Sequence, residues 1–203
     1  MPPPQSPNEA HFTMKNTTTT TIIKTLLIGA IILSASAHFF PWGETTAIET
    51  WNIQYYHWGG IMLSIPDTDT SELILFPTNL SNATNTPDTY GYAAATLLLY
   101  LMIPLGIGSF TLGLLALFRP NKKKRSFQAT LTSFITILLF ILFMIFGINP
   151  RLESGIAGFT SDFHWATGFY LMILAALFYL AAFIFLKKYP LITPNKEKIE
   201  KKI

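Results

Sequence analysis

The sequence predicts an all-α membrane protein, an antiparallel bundle of four transmembrane helices with a small extracellular antiparallel β-sheet in the first outer loop. The helices are predicted by composition, since half of the 203 residues are hydrophobic and only 12% are charged. An average soluble domain has about 25% charged residues. The sheet is predicted by a β-prone segment around a Gly-Gly pair, which follows the first apolar run.

A helix needs roughly 20 apolar residues to cross the hydrocarbon core of a bilayer. Runs of about this length predict four spans, TM1 (22–40), TM2 (93–118), TM3 (126–148) and TM4 (165–186), of which the last three contain no charged residue. A soluble core does not bury three uncharged runs of this length. The chain is therefore predicted to be a multi-pass membrane protein that contacts the lipid bilayer.

The first run has a second interpretation. Residues 14–37 have a basic start, an apolar middle and an Ala-Ser-Ala end, a pattern that is also typical of a cleaved signal peptide. We expect this run to be retained as a span. A mature chain that begins at His38 would contradict the expectation.

Charge predicts the orientation, because Lys and Arg collect on the cytoplasmic side of a membrane. With both termini inside, all 14 basic residues except Arg151 face the cytoplasm. The acidic residues show the opposite bias, and we expect a cell-membrane protein with cytoplasmic termini. The segments outside the spans are a disordered N-terminus (1–21), the first outer loop (41–92), a basic inner loop (119–125), a short outer loop (149–164) and a basic tail (187–203).

The first outer loop predicts a β-hairpin. Gly59-Gly60 as a two-residue turn would place Trp58 opposite Ile61, Tyr56 opposite Leu63 and Gln54 opposite Ile65. The segment 72–76, Glu-Leu-Ile-Leu-Phe, is predicted to add a third strand. His57 lies beside the turn, and neither the hairpin nor its loop offers a second His or Cys, so we expect a structural role.

Polar residues elsewhere predict few sites. Two sequons in the outer loop, at Asn79 and Asn82, are possible glycosylation sites. The sequence Ser-Asp-Phe-His-Trp at 161–165 is predicted to begin TM4, with Ser161 or Asp162 as the helix cap. The hydroxyl and amide side chains in the inner half of TM3 are expected to form hydrogen bonds between helices, and they comprise Gln128, Thr130, Thr132, Ser133 and Thr136.

Small residues recur every seven positions in TM4, at Gly168, Ala175 and Ala182. Such a seam lets another helix approach closely, either within the bundle or on another subunit. The interface predicted for a partner combines this seam with the outer sheet residues Trp51, Tyr56, Trp58, Ile61 and Leu63. Partners would be other membrane-protein subunits or a second copy of the chain.

Several functional classes have no support in the sequence. The absence of cysteine excludes disulfides and thiolate sites, no nucleophile, base and acid can be combined into a catalytic group, and no metal site is predicted. The basic residues flank spans without interleaved aromatic residues, so no nucleic-acid partner is expected. Spans TM2 to TM4 contain no ionisable acid or base of the kind that ion pumps use.

Two histidines at the outer interface leave a redox alternative open. His38 ends TM1 and His164 precedes TM4, and neighbouring helices would let the two imidazoles face each other. Opposed histidines can ligate a b-type haem, and one could also hydrogen-bond a quinone. The favoured expectation is a non-enzymatic scaffold without a cofactor, and the alternative is a redox subunit that uses His38 and His164.

The layout resembles the claudin and peripheral myelin protein superfamily. The similarity consists of four spans with inner termini, a strand-containing first outer loop, Trp42 after the first span and His-Trp-Gly-Gly at 57–60. The paired loop cysteines of that family are absent. The resemblance implies an adhesion, barrier or accessory role, with the outer sheet as the contact surface.

Overall fold

A computed structural model defines the fold over residues 7–47, 51–58, 60–65, 70–75, 89–118, 122–145 and 162–189. These residues form four long helices and five short strands. In order, these elements are α1 (Pro7–Ala37), β1 (Gly43–Ala47), β2 (Trp51–Tyr55), β3 (Gly60–Ile65), β4 (Thr70–Leu75), α2 (Thr89–Phe118), α3 (Lys122–Phe143), β5 (Asp162–Trp165) and α4 (Thr167–Lys188).

Each helix contains a segment that is long and apolar enough to cross a membrane, which confirms the four predicted apolar helices. The segments are Thr18–Ala37, Leu97–Phe118, Lys122–Phe143 and Thr167–Lys188. Helix α1 starts well before its apolar segment, at Pro7, so the prediction of a disordered segment up to residue 21 is wrong from Pro7 onward. Neither Pro nor Gly occurs between Pro7 and Gly29, and proline itself suits the first turn of a helix.

The four helices pack as a ring, in which the most extensive contacts follow the order α1, α2, α3, α4 and back to α1. The outer surface of this ring carries many apolar side chains. Ile32, Leu97, Ile107, Leu138 and Ile184 are each more than half exposed. A surface of this kind is unfavourable in water and is typical of a helix that faces lipid.

The centre of the ring is built around Tyr179 of α4, which is fully buried. Its hydroxyl lies 3.2 Å from Oγ of Ser34 on α1. Ser34 already donates to the carbonyl of Ile31, so Tyr179 is the donor. The main-chain carbonyl of Tyr179 accepts a hydrogen bond of 3.0 Å from Ser126 of α3. Gly113 of α2 packs against the Tyr179 ring, so this residue contacts all three other helices.

The small residues of α4 are inside the molecule. Gly168, Ala175 and Ala182 are buried among this chain's own helices, since α4 contacts both α1 and α3. Of the two interpretations that the sequence allowed, the structure therefore shows packing within the chain. These three residues do not form a surface for another subunit.

The hydroxyl groups of α3 behave differently from the prediction. Thr130, Thr132, Ser133 and Thr136 donate to carbonyls three or four residues earlier in the same helix. Among the hydroxyl groups in the described part of α3, only that of Ser126 donates a hydrogen bond to another helix. The local carbonyl is always within reach of a helical Ser or Thr, whereas a neighbouring helix offers few free acceptors.

The strands form one antiparallel sheet with the order β4-β3-β2-β1-β5. Strand β4 includes residues 72–75 of the segment that was predicted as the third strand, and this prediction is confirmed for the described residues. Strand β5 comes from the second loop and pairs with β1, from Gly43 opposite Trp165 to Thr46 opposite Asp162. The prediction of a helix start at 161–165 is wrong for residues 162–165, because they pair with β1, and Ser161 lies outside the described residues. Helix α4 begins only after Ala166, without a side-chain cap.

The hairpin between β2 and β3 is confirmed, but its predicted register is wrong. Gln54 lies opposite Met62, not Ile65, and Tyr55 lies opposite Ile61. The turn is longer than Gly59-Gly60, and it closes where the Tyr56 N–H donates to the Gly60 carbonyl at 2.8 Å. The register is shifted by three residues from the predicted one. Because side chains alternate between the faces of a strand, this odd shift moves each β3 side chain to the opposite face relative to the side chains of β2.

Candidate functional site

The candidate site is a pair of histidines between the sheet and the ends of the helices. His38 is the first residue after α1, and His57 lies in the β2–β3 turn. Nδ1 of His38 is 2.6 Å from Nε2 of His57, and the ring centroids are 4.3 Å apart. The sequence offered His57 no second histidine within the hairpin or its loop, and the structure supplies one from outside them. The partner comes from the end of the first helix, outside the loop where it was sought.

Two tryptophans position the pair. The indole N–H of Trp42 donates to the Ala37 carbonyl at 2.7 Å, which folds the chain back over the end of α1. The Trp42 ring then stacks on His57, with centroids 5.1 Å apart. From the other side, the Trp58 indole N–H donates to the His38 carbonyl at 3.2 Å. The β2–β3 turn is thus attached to the end of α1 through both its histidine and its tryptophan.

Helix α2 closes the site with a glycine. A Cβ atom at Gly106 would lie 3.1 Å from Cε1 of His38 and 3.3 Å from Nε2 of His57. These separations are shorter than ordinary contacts, so a side chain at Gly106 would push against both imidazoles. The absence of a side chain allows α2 to approach the pair directly.

Each imidazole of the pair has one buried nitrogen without a hydrogen-bond partner, Nε2 of His38 and Nδ1 of His57. Two neutral imidazoles together carry two N–H groups and two lone pairs, and their mutual hydrogen bond uses one of each. One outer nitrogen therefore bears an N–H and the other a lone pair.

Burial keeps both imidazoles neutral near pH 7. His57 is 2% exposed, and the loss of hydration together with the nearby His38 lowers its pKa to about 3. Burial also lowers the pKa of His38, an effect that the Gly106 backbone partly offsets. The chemistry that the pair offers is acceptance of a proton, at a site where the charged form is strongly disfavoured.

The structure places the residues of the redox alternative in different surroundings. His164 lies on β5, opposite Glu44 of β1, and its side chain is exposed. The histidine that contacts His38 is His57. A haem or quinone site formed by His38 and His164 stays a prediction, and no contact between these two side chains favours it. Among the residues that the structure describes, no group of three or more His, Asp or Glu side chains could hold a metal ion.

The predicted contact residues of the sheet are described only in part. Tyr56 and Trp58 are partly exposed, and their rings pack at a centroid distance of 5.2 Å. The backbones of Trp51, Ile61 and Leu63 are in β2 and β3, as predicted, but their side chains lie outside the described part of the chain. The sequons at Asn79 and Asn82 also lie outside the described residues.

Sequence reasoning missed the histidine pair because its members belong to separate elements. The available signals were weak: both residues adjoin tryptophan-containing segments, and both are on the predicted outer side of the membrane. The longer turn, which points His57 toward α1, is a consequence of tertiary packing. No protein-family model matches this chain, and no curated protein shows significant sequence similarity to it.

Proposed function

We propose that this chain is a non-enzymatic integral membrane protein that displays its β-sheet outside the cell as a contact surface for another protein. It acts as a scaffold, an adhesion protein or an accessory subunit of a larger membrane assembly. The partner is a second membrane protein or another copy of the chain. The termini and the basic 119–125 loop face the cytoplasm of the cell membrane.

One observation carries this proposal: the sheet and the basic residues belong to opposite ends of the helices. Strand β1 follows the end of α1, and β5 directly precedes α4, whose Gly168 N–H donates to the Pro41 carbonyl at 2.7 Å. The basic residues Lys122 to Arg125 begin α3, and Lys187 and Lys188 end α4. Cations at one end and a polar sheet at the other are typical of a protein with a defined orientation in the bilayer.

The sheet is suited to contact because it is built jointly by both outer loops and fixed to the helices. The β1–β5 ladder joins the two loops, and the Trp42 carbonyl accepts the Ala166 N–H at 3.0 Å. A surface held by rigid elements loses little conformational entropy when it binds a partner. The layout similarity to the claudin and peripheral myelin protein superfamily supports the same role.

The orientation can be tested by labelling single cysteines, because the chain has no native cysteine. Ser71→Cys places an exposed thiol on β4, and Lys123→Cys places one at the start of α3. We expect a membrane-impermeant maleimide to label Ser71→Cys on intact cells and Lys123→Cys only after permeabilisation. Labelling of both variants from the same side would contradict the proposed topology.

The contact role can be tested by photo-crosslinking in intact cells. A photoreactive amino acid at Asn52 or Leu73 would probe the exposed part of the sheet, and one at Ile184 on α4 serves as the control. We expect protein adducts of discrete mass from the sheet positions and mainly lipid adducts from Ile184. If the sheet positions give no protein adduct under conditions in which Ile184 reacts, the sheet is not the contact surface.

A further inference from the structure

We propose that the His38–His57 pair is a proton-sensitive latch. Neutral imidazoles hold the β2–β3 turn against α1 and α2, and protonation of the pair releases it. The inference concerns how the sheet docks on the helices and is independent of the partner that the sheet contacts.

The geometry of the pair restricts how many protons it can hold while closed. The hydrogen bond of 2.6 Å requires one N–H and one lone pair between Nδ1 of His38 and Nε2 of His57. A first added proton occupies the free outer lone pair, so that both outer nitrogens then carry buried N–H groups. Neither nitrogen has a hydrogen-bond partner among the described residues, and the Gly106 backbone beside His38 offsets this burial only in part. A second proton would replace the lone pair inside the bond and set two N–H groups against each other. The closed pair therefore disfavours the first added proton and excludes the second.

Among the residues that the structure describes, no charged side chain contacts the pair. On α1, the other ionisable side chain of the described segment 18–38 is Lys24, about four turns before His38. Helix α2 contributes Gly106, and its segment 97–118 has no charged residue. Of the tyrosines near the turn, Tyr55 is buried and Tyr56 packs on Trp58. Within α3 and α4, residues 126–145 and 167–186 also lack charged side chains.

In the sheet, Glu44 lies on the other face, whereas Glu72 of β4 pairs with Leu63 and is three strands away from buried Thr45 of β1. Gln54 donates to the Glu44 carboxylate at 3.0 Å, and His164 lies opposite Glu44 in the β1–β5 register. Thr45 and Tyr55, the neighbours of Glu44 and Gln54 along the chain, are buried. Because side chains alternate along a strand, Glu44 points away from this buried face. Its carboxylate is engaged there by Gln54.

The expected direction of the pH effect follows from the pKa of His57. The docked state lowers this pKa from the ordinary value of 6.5 to about 3. Between these two pH values, the released state therefore binds more protons than the docked state. Docking is thus strongest above pH 6.5 and weakens as the pH falls toward 3. Each proton taken up only by the released state changes the opening equilibrium about tenfold per pH unit, and two protons change it about a hundredfold.

Hydrogen–deuterium exchange of the full chain in lipid nanodiscs tests the latch. Rates measured at pH 7.5 and 5.5 would be corrected for the intrinsic pH dependence of exchange. We expect the turn at 56–60 and the adjoining ends of β2 and β3 to open at least tenfold more at pH 5.5. The helices should keep their protection at both values. His164→Gln, which removes an exposed histidine outside the pair, should respond as the wild type does.

The matched test variant is His38→Asn/His57→Gln, since the two amides can occupy the positions of Nδ1 and Nε2 without titrating. We expect the same turn to exchange equally at both pH values in this variant. A wild-type response below tenfold would overturn the proposal, as would an unchanged response in the double variant or simultaneous loss of helix protection. If the variant does not fold, the C2-hydrogen exchange of His57 in the wild type decides. An ordinary pKa in the docked state overturns the latch, and a depressed one together with the turn response supports it.

Discussion

Single residues in this protein are most constrained where backbones approach each other. Gly168, in the first turn of α4, faces the Trp42 ring and the carbonyls of Phe40 and Pro41. Gly108, on α2, has no atom within 4 Å of the position that a Cβ would occupy. Two helical glycines of the same chain thus have opposite steric requirements, and this contrast gives a matched comparison.

We expect Gly168→Ala to lower the free energy of unfolding by about 1–3 kcal/mol, the usual cost of overpacking a tight site. The added Cβ would lie only 2.5 Å from the Phe40 carbonyl oxygen, which is backbone and cannot rotate away. Gly108→Ala should be neutral or stabilising by up to about 1 kcal/mol, because alanine favours the helix. Unfolding of both variants in detergent measures the difference. Equal stability of the two would refute the close packing at Gly168.

The helices are held together by packing and by a small number of polar contacts. Tyr179 links α4 to α1 through Ser34, inside a mainly apolar ring. Inter-helix hydrogen bonds of this kind contribute modestly, on average about 0.6 kcal/mol, because alternative partners exist in the unfolded state. The close fit of Gly113 against the same ring suggests that the shape of Tyr179 matters more than its hydroxyl.

A double-mutant cycle separates these contributions. We expect Tyr179→Phe and Ser34→Ala to show a coupling energy of about 0.5–1 kcal/mol, because each removes the same hydrogen bond. Tyr179→Ala should cost about 3–5 kcal/mol, since it leaves a cavity among all four helices. Unfolding in mixed micelles gives the four free energies of the cycle. Strictly additive single effects would show that the hydroxyls do not interact.

The sheet is an element that depends on two loops far apart in sequence. Glu44 of β1 lies between Gln54 of β2 and His164 of β5, with each as its direct partner. Directly opposed residues of antiparallel strands have Cα atoms about 4.5–5.5 Å apart, which a disulfide can bridge. Residues two strands apart are separated by about 9–10 Å, which a disulfide cannot bridge.

We therefore expect Glu44→Cys/His164→Cys to form an intramolecular disulfide under mild oxidation. Gln54→Cys/His164→Cys should stay reduced, because β1 lies between the two positions. The chain has no other cysteine, so the loss of two hydrogens in the intact mass reports the bond directly. Oxidation of the second pair at the same rate as the first would contradict the strand order.

At the scale of the whole molecule, α1 is part of the packed structure. Ile23, Leu27, Ala30 and Ser34 are buried in the helix ring, and α1 contacts both α4 and α2. Removal of this helix would expose the Tyr179 centre and would also separate His38 from the chain that precedes it. The packing supports a retained first span over a cleaved signal.

Intact-mass analysis of the purified protein checks this directly. We expect a mass that includes α1, close to 22.8 kDa for the chain of 203 residues without modification. The reason is that the buried face of α1 is integral to the core and is fixed by the Ser34–Tyr179 contact. A chain that begins at His38 would show that the first helix is removed and that the ring has three members.

The amino-acid sequence by itself determined the four apolar helices, the hairpin and its third strand. These features depend on local properties, since run length and β-propensity are readable in single segments. The predicted hairpin register was wrong, because it depends on how the turn packs against α1 and α2. The distribution of basic and acidic residues along the chain also predicted an orientation in the membrane, and the proposed topology is based on it.

Only the tertiary structure decided the sheet order, the burial of the α4 seam and the pairing of His38 with His57. Residues 162–165 become a strand because β1 offers a free ladder edge, and no local signal in those residues indicates this. The histidine pair depends on the Trp42 fold-back, the position of Gly106 and a turn longer than its two glycines require. Contacts between distant segments are set by the packing of the entire fold, and a single sequence does not display them.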